Sequence, residues 1–369
     1  MTKDLTTGNP MKLILAFALP TLCGMLFQQF YNLVDTMIVG KLLGAQALAA
    51  VGSTGSINFF VIGFCMGVCN GFAIPVAQRM GAREYGQMRR FVANAAYLSA
   101  LFALVLTVAT GLFCRNILVV MRTPADIIDN AYAYIFVIFM GIPATFLYNL
   151  LAAVIRALGD SKTPVNFLAI SSVLNIALDP IMIFWMDLGV AGAAWATIIS
   201  QFISFCLLLA GCARGGNLRI HISKVQLKPA YYVMIVKGGL PSLGRQGLAS
   251  VATICLNQAA GPYGDTAIAA MGIVQRITMF GGSAMIGFGQ GFQPVCGFNY
   301  GAGLYSRVKK GFWFCVKTST CFLFAVGVLG IVFAPQLIAL FQDDPEVISY
   351  GAAALRFQCA TFFFQGWIV

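Results

Sequence analysis

Long apolar stretches, separated by short polar segments, follow one another along the whole chain. A helix needs about 20 mostly apolar residues to cross the hydrocarbon core of a bilayer. The pattern therefore predicts ten membrane-spanning helices, at 12–38, 50–77, 91–114, 127–153, 164–186, 190–212, 231–260, 266–295, 310–334 and 346–369. The opening residues, MTKDLTTGNPMK, lack the shape of a signal peptide, so we expect the first helix to be retained.

Composition agrees with an all-α integral membrane protein. The chain is 59% hydrophobic and only 9% charged, whereas soluble domains carry about 25% charged residues. Its eleven cysteines include no Cys-x-x-Cys pair, and we interpret them as small apolar side chains within helices. The single histidine, His221, has no second histidine with which to form a metal site.

The positive charges are distributed unevenly between the two sides of the predicted bundle. If the N-terminus is inside, the inner loops carry Lys3, Lys12, Arg79, Arg83, Arg89, Arg90, Arg156, Lys162, Arg214, Arg219, Lys224, Lys228, Lys237, Arg307, Lys309 and Lys310. The outer loops carry only Lys41, Arg115 and Arg122. Cytoplasmic loops are enriched in Lys and Arg, which predicts an N-terminus inside. The net charge of +11 therefore indicates contact with anionic membrane lipids, not nucleic acid.

Two distant segments share one pattern at a constant spacing. The sequence GAQALAAVG at 44–52 aligns with GDTAIAAMG at 264–272, a shift of 220 residues, and the same shift maps Gly71 onto Gly291. An even number of helices separates equivalent points, so both halves face the same way. The pattern predicts a parallel repeat related by an axis along the membrane normal.

The repeat predicts the domain organisation. We expect an N-lobe of six helices at 1–215, a cytoplasmic linker at 216–230, and a C-lobe at 231–369. The shift places the equivalent of Asn149 at Val369, the last residue, so partners for two N-lobe helices have no place in the sequence. We therefore expect the chain to be C-terminally truncated, with four helices in the second lobe.

Two acidic residues lie inside predicted spans. In VLNIALDPIMIF, at 173–184, Asn175 and Asp179 share one helix face, and Asp35 lies on a polar face of the first span. Their predicted depths in the bilayer are similar, so the two carboxylates could hold a cation or a proton between them. Intramembrane acids usually mark an ion path. The alternative is a protonated aspartate that bonds a neighbouring helix.

Three segments resemble the multidrug and toxic compound extrusion (MATE) transporters: LPTLCGMLFQQFYNLVDTMIVGKLLGAQALAAVG, RALGDSKTP and LNIALDPIMIF. The resemblance covers the whole chain and implies a parallel two-lobe, inverted-V transporter around a central cavity. It implies a coupling site in the N-lobe, formed by Asp35, Asn175, Asp179, Asn149 and Thr197, with a possible Na⁺ at the first three. It places Gln28 and Tyr31 in the substrate cavity, and we add Asn257 and Gln290 from the C-lobe. The predicted C-lobe spans carry no acid in their interiors, a pattern similar to the DinF-like branch.

The resemblance implies a secondary active multidrug efflux antiporter. It would export organic cations and amphipathic compounds in exchange for Na⁺ or H⁺, as a monomer without a cofactor, in the cytoplasmic membrane of a prokaryote. One alternative is a flippase for lipid-linked precursors, with Arg245, Arg276, Lys317 and Arg356 as candidate pyrophosphate contacts. An intramembrane enzyme fits less well, because the paired acids of QDDPE, at 342–346, fall in a predicted outer loop.

Overall fold

The computed structural model describes residues 4–121, 123–214, 225–226, 228–263, 265–341 and 344–365, and this part of the chain contains helices but no strand. The α-helices are α1 (Pro10–Gly81), α2 (Tyr85–Leu112), α3 (Cys114–Val120), α4 (Ile128–Met140), α5 (Ile142–Ala157), α6 (Lys162–Pro180), α7 (Gly189–Arg214), α8 (Pro229–Ala260), α9 (Asp265–Gly301), α10 (Tyr305–Val332), α11 (Ala334–Ala339) and α12 (Pro345–Gln365). A π-helical turn, Ile181–Trp185, follows α6, and a short 3₁₀ turn, Gly261–Tyr263, follows α8.

The first two predicted spans are joined into one helical run of 72 residues, α1. Its N-cap is Asn9, whose Oδ1 accepts a hydrogen bond from the Met11 amide at 2.9 Å. The run breaks at Gly44, which has a φ of 83°, a conformation that glycine adopts without steric cost. The connection that the sequence predicted between two separate helices is therefore itself helical, with a single break.

The apolar helices agree with the predicted spans. Within the described residues, seven helical segments, two of them within α1, are long and apolar enough to cross a membrane, and α4 with α5, bent by 46°, can form an eighth span. The seventh and eighth predicted spans coincide with α8 and α9, of 32 and 37 residues, whose side chains are only partly described. The chain is thus a multi-pass, all-α membrane protein.

The internal repeat persists in the structure. Helix α10 begins and ends 220 residues after α2 begins and ends. The buried residues of α12 follow the same register, because Leu355 and Cys359 correspond to Ile135 and Phe139, all of which are buried. We call α1–α7 the N-lobe and α8–α12 the C-lobe. Most of the expected linker lies outside the described residues, so the lobe boundaries stay a prediction.

The two lobes pack closely on the side of the bundle where α1 begins and ends, which we call the N-terminal side. A Cβ atom added to Gly71 would meet the backbone of Gly239, and one added to Gly81 would meet the backbone of Phe298. Small residues permit this approach of helix backbones. Near the break in α1, a Cβ added to Gly44 would have no heavy atom within 4 Å. Gly44 therefore makes no such close contact.

Candidate functional site

The structure brings the two intramembrane acids together. Asp35 of α1 and Asp179 of α6 hold their carboxyl groups within hydrogen-bonding distance of each other. Asp179 is fully buried, and Asn175 is 1% exposed. The Asn175 Nδ2 atom lies 3.4 Å from Asp179 Oδ1 and 3.3 Å from the Thr197 hydroxyl of α7. Three helices of the N-lobe thus supply one polar cluster, as the sequence predicted.

The oxygen atoms of this cluster are not fully satisfied. Asp35 Oδ1, Asn175 Oδ1 and Asp179 Oδ2 are buried and have no hydrogen-bond partner. Buried polar atoms normally have partners, so three orphan oxygens in one cluster need an explanation. Carboxylate and amide oxygens suit a hard cation, and a carboxylate also suits a proton. The described residues hold no group of three or more His, Cys, Asp or Glu side chains suited to a metal ion.

Asp179 lies where the regular hydrogen-bond pattern of α6 ends. Proline at 180 lacks a backbone N–H, and a π-helical turn follows it, closed by a 3.0 Å hydrogen bond from the Met186 amide to the Ile181 carbonyl. Isolated π turns occur often at functional sites, because they release backbone from the regular ladder. The turn packs tightly on α7, since a Cβ added to Gly192 would lie 2.8 Å from the Met182 carbonyl oxygen.

Two tyrosines, Tyr31 and Tyr134, lie beside the acid pair. Tyr134 of α4 is 5% exposed and lies near Asp35 and Asp179. The Tyr31 hydroxyl is hydrogen-bonded to the Gln28 side chain, and Tyr148 of α5 lies close to it. Gln28 and Tyr31 were expected here from the family resemblance, whereas Tyr134 and Tyr148 were not. In the sequence alone, a tyrosine that lines a polar site looks the same as one that packs in the apolar core.

Asn149 takes a different partner from the one expected. Its Nδ2 atom donates to the Thr145 carbonyl oxygen of its own helix at 2.8 Å. The Thr145 hydroxyl in turn lies 2.7 Å from Gln201 Oε1 of α7. The polar contact between α5 and α7 is therefore made by Thr145 and Gln201, neither of which the sequence analysis named.

Gln290, predicted to line the substrate cavity, lies instead in the packed contact between the lobes. It is 7% exposed and lines a cavity of about 10 Å³, enough for about one water molecule, with Arg156 and Asn70. Arg156 Nη2 donates to Asn70 Oδ1 at 3.0 Å, and Gln293 Nε2 of α9 donates to the Asn70 carbonyl oxygen at 2.7 Å.

The remaining named residues are dispersed. The side chains of Asn257 and Arg245, both in α8, lie outside the described part of the chain. Arg276, Lys317 and Arg356 are exposed, and Arg356 Nε donates to the Ile331 carbonyl oxygen at 3.3 Å. These three cations therefore form no buried cluster of the kind seen around Asp179.

Comparison with known proteins connects this site to a family. The MatE family model matches residues 20–181 and 241–368. The chain is 29% identical over 359 residues to "Probable multidrug resistance protein YpnP" of Bacillus subtilis, covering 96% of this chain and 79% of that protein. It is 25% identical over 358 residues to "Multidrug export protein MepA" of Staphylococcus haemolyticus, covering 96% and 78%.

Solved structures agree. A crystal structure of a MATE protein in complex with MaL6 superposes with a TM-score of 0.89 at 26% identity, covering 99% of this chain and 83% of that one. An outward-facing multidrug resistance MATE family transporter of the MOP superfamily superposes with a TM-score of 0.88 at 26% identity, covering 99% and 84%. The family model covers both lobes, so the chain belongs to the MatE family of MATE transporters.

Proposed function

We propose that this protein is a secondary active efflux antiporter that exports organic cations and amphipathic compounds in exchange for Na⁺ or H⁺. The observation that carries the proposal is the pair of Asp35, which is half-buried, and Asp179, which is fully buried, with its orphan oxygens and its support from Asn175. A structural pair would satisfy its oxygens internally. This cluster leaves three buried oxygen atoms without a partner, as a site that exchanges a small cation or a proton would.

Na⁺ and H⁺ compete for one site, and the occupant of that site influences the protein's conformation. Two adjacent carboxylates in a low-dielectric site resist double ionisation, so without a metal cation at least one holds a proton near neutral pH. Sodium would be held by Asp35, Asn175 and Asp179 and would displace that proton. Each occupant favours its own arrangement of α1 and α6, so loading shifts the equilibrium between conformations. We place this change at the irregular π turn that follows Asp179.

The substrate class follows from the chemistry around the pair. The negative charge of the carboxylates attracts cations. Tyr31 and Gln28 offer an adaptable aromatic and polar surface beside them. Relatives carry the names multidrug resistance protein and multidrug export protein, which supports a broad range of substrates.

The excess of Lys and Arg in the loops on the N-terminal side supports an N-terminus inside the cytoplasm. Release from the far side, opposite the N-terminal side, would then be release from the cell. We place the protein in the cytoplasmic membrane of a prokaryote, acting as a monomer, with the bilayer's anionic lipids in contact with its basic loops.

The test is efflux of a fluorescent organic cation from proteoliposomes, with a Na⁺ gradient and a pH gradient imposed in separate experiments. Efflux driven by either gradient, and collapsed by the matching ionophore, supports the antiporter. Efflux that ignores both gradients contradicts it. A parallel assay with a lipid-linked pyrophosphate tests the alternative, because translocation of that lipid without drug efflux would favour the flippase.

A further inference from the structure

The segment that leads into α1 crosses to the other lobe. Leu5 is fully buried, and its carbonyl oxygen accepts a hydrogen bond from Asn299 Nδ2 of α9 at 3.1 Å. Asn299 is itself 1% exposed, and its Oδ1 accepts a bond from Arg307 Nε at 2.8 Å. One residue earlier, Asp4 Oδ2 lies 3.8 Å from Arg83 Nη2, on the N-lobe. Residues 4–9 therefore contact both lobes on the N-terminal side.

This segment has a defined conformation. Asp4 Oδ1 accepts hydrogen bonds from the Thr6 hydroxyl at 2.6 Å and the Thr6 amide at 2.9 Å. These bonds, and then the positive charge of Arg83, lower the pKa of Asp4 from its ordinary value, so the carboxylate is charged at neutral pH. Gly8 turns the chain with a φ of 80°, and Asn9 caps α1. The docked segment is thus held at both of its ends.

The segment that leads into α8 makes the reciprocal crossing. The Gln226 amide and the Tyr232 hydroxyl each donate to Asn94 Oδ1 of α2 at 3.2 Å. Asn94 is fully buried in the N-lobe. The ring of Tyr231 packs edge-on against Phe91, with centroids 5.0 Å apart. The start of the C-lobe helix α8, with the residues just before it, therefore packs against the N-lobe.

The two segments, though not their anchors, are related by the repeat. The shift of 220 residues places Gln226 opposite Thr6, so both segments lead into the first helix of their own lobe. Each is anchored by a buried asparagine of the opposite lobe, Asn299 in one case and Asn94 in the other. We call them strap 1 (residues 4–9) and strap 2 (residues 225–226 and 228–232, the last four of which begin α8).

We propose that the two straps hold the lobes together on the N-terminal side, and that this side opens only when the straps release their asparagine anchors. If the lobes part with the straps in place, Leu5 must leave its buried site, and Asn299 and Asn94 lose their partners across the contact. Asn299 keeps its bonds to Val295 and Arg307, but the buried Asn94 Oδ1 and the Leu5 carbonyl oxygen lose their donors across the contact. An acceptor left without a donor is costly, so the docked straps favour the closed arrangement. This inference concerns how the lobes move and does not depend on which ion or substrate is carried.

The test measures distances between the lobes by pulsed electron resonance, in a full-length background with the native cysteines replaced. One spin-label pair, Gly86→Cys with Ser306→Cys, lies at exposed repeat-related positions near the straps. A second pair, Asp126→Cys with Glu346→Cys, lies at exposed repeat-related positions of the far side. Together, the two pairs report separation of the lobes on each side of the protein.

The test variants are Leu5→Glu, which alters a segment that precedes the first helix, and Asn299→Leu, which removes the anchor. The population with a lengthened 86–306 distance should rise by about three- to tenfold, the effect of one lost hydrogen bond on an equilibrium. The far-side distance should shorten in the same population. Thr7→Ala, at an exposed position of the same segment, is the control and should leave both distances unchanged.

Unchanged 86–306 distances in both Leu5→Glu and Asn299→Leu would overturn the proposal. Equal lengthening in Thr7→Ala would overturn it too, because the effect would then not come from the anchor. These distances need no transport assay. A protein without gradient-driven efflux can still confirm the straps, and a working antiporter can still refute them.

Discussion

Asp35 and Asp179 hold their carboxyl groups within hydrogen-bonding distance of each other, although one lies in the first helix of the lobe and the other beside the π turn that ends α6. Their juxtaposition makes them the centre of the first prediction. Asp179→Asn should reduce gradient-driven efflux to the level of empty vesicles, because an amide cannot exchange a proton for a cation. Asp35→Asn should do nearly the same.

The matched control is Asp187→Asn. Asp187 is exposed and has a φ of 51°, a conformation that asparagine also accepts, so the same chemical change there should leave efflux intact. Size-exclusion profiles of all three variants should match the parent protein. Normal coupled efflux in both Asp179→Asn and Asp35→Asn would identify the pair as structural glue between helices.

A second prediction separates Asn175 from Asn149. Asn175→Ala removes the donor shared by Asp179 and Thr197, whereas Asn149→Ala removes only a bond within one helix. Leaving a buried acceptor unsatisfied costs about 1–3 kcal/mol. The ion concentration that gives half-maximal efflux should therefore rise by about tenfold or more in Asn175→Ala, and much less in Asn149→Ala. Equal effects would show that the two amides serve one site.

A third prediction concerns the glycine contact between the lobes. Gly71→Ala places a methyl group against the backbone of Gly239, whereas a Cβ at Gly52, in the same helical run, has no heavy atom within 4 Å. Overpacking costs about 1–3 kcal/mol, so Gly71→Ala should melt at a lower temperature in detergent. Gly52→Ala should melt at or above the parent temperature. The reverse order would contradict the close approach of the two helices.

A fourth prediction uses the difference between the lobes. An apolar cavity of about 270 Å³ in the C-lobe is lined by Cys359, with Leu329 and Phe362 among its neighbours. The repeat-related residue in the N-lobe is Phe139, which is fully buried. Cys359→Phe should fill the cavity and stabilise the protein by about 0.5–2 kcal/mol, seen as a higher melting temperature. Cys321→Phe, at an exposed position, is the control.

A fifth prediction tests orientation. In a cysteine-free background, Gly86→Cys should react with a membrane-impermeant maleimide only after the cells are opened, because it lies on the N-terminal side. Asp126→Cys should react in intact cells. Both positions are exposed, so access depends on the side of the membrane. The opposite result would reverse the direction of export inferred from the basic loops.

Much of the fold could be predicted because its determinants are local. Apolar length gave the spans, and glycine spacing with the 220-residue shift gave the repeat, which α2 and α10 confirm. The joints could not be predicted in this way. The helical connection before Gly44 and the bend at Gly141, between α4 and α5, depend on how neighbouring helices pack. Packing partners leave no periodic signal in a single sequence.

The site divides in the same way. Asp35, Asn175 and Asp179 could be named from the sequence, because a polar residue inside an apolar helix is conspicuous, whereas only the family resemblance pointed to Thr197. Tyr134 was missed, since its ring is as apolar as the core around it. Gln290 was predicted to line an open cavity but is packed against the opposite lobe. The sequence shows that a residue is polar, but not which part of the protein its side chain contacts. Asn257 stays a prediction.

The contact between Gly71 and Gly239 also determines what the lobes lose when they part. Long side chains that interlock across an interface must be ordered each time it closes, at a cost of about 0.5–1.5 kcal/mol for each immobilised side chain. Glycine has no rotamers to freeze, so this part of the contact closes without that entropic penalty. A contact made largely of backbone can therefore close repeatedly with little loss of side-chain conformational entropy. The few polar anchors around it determine when it opens.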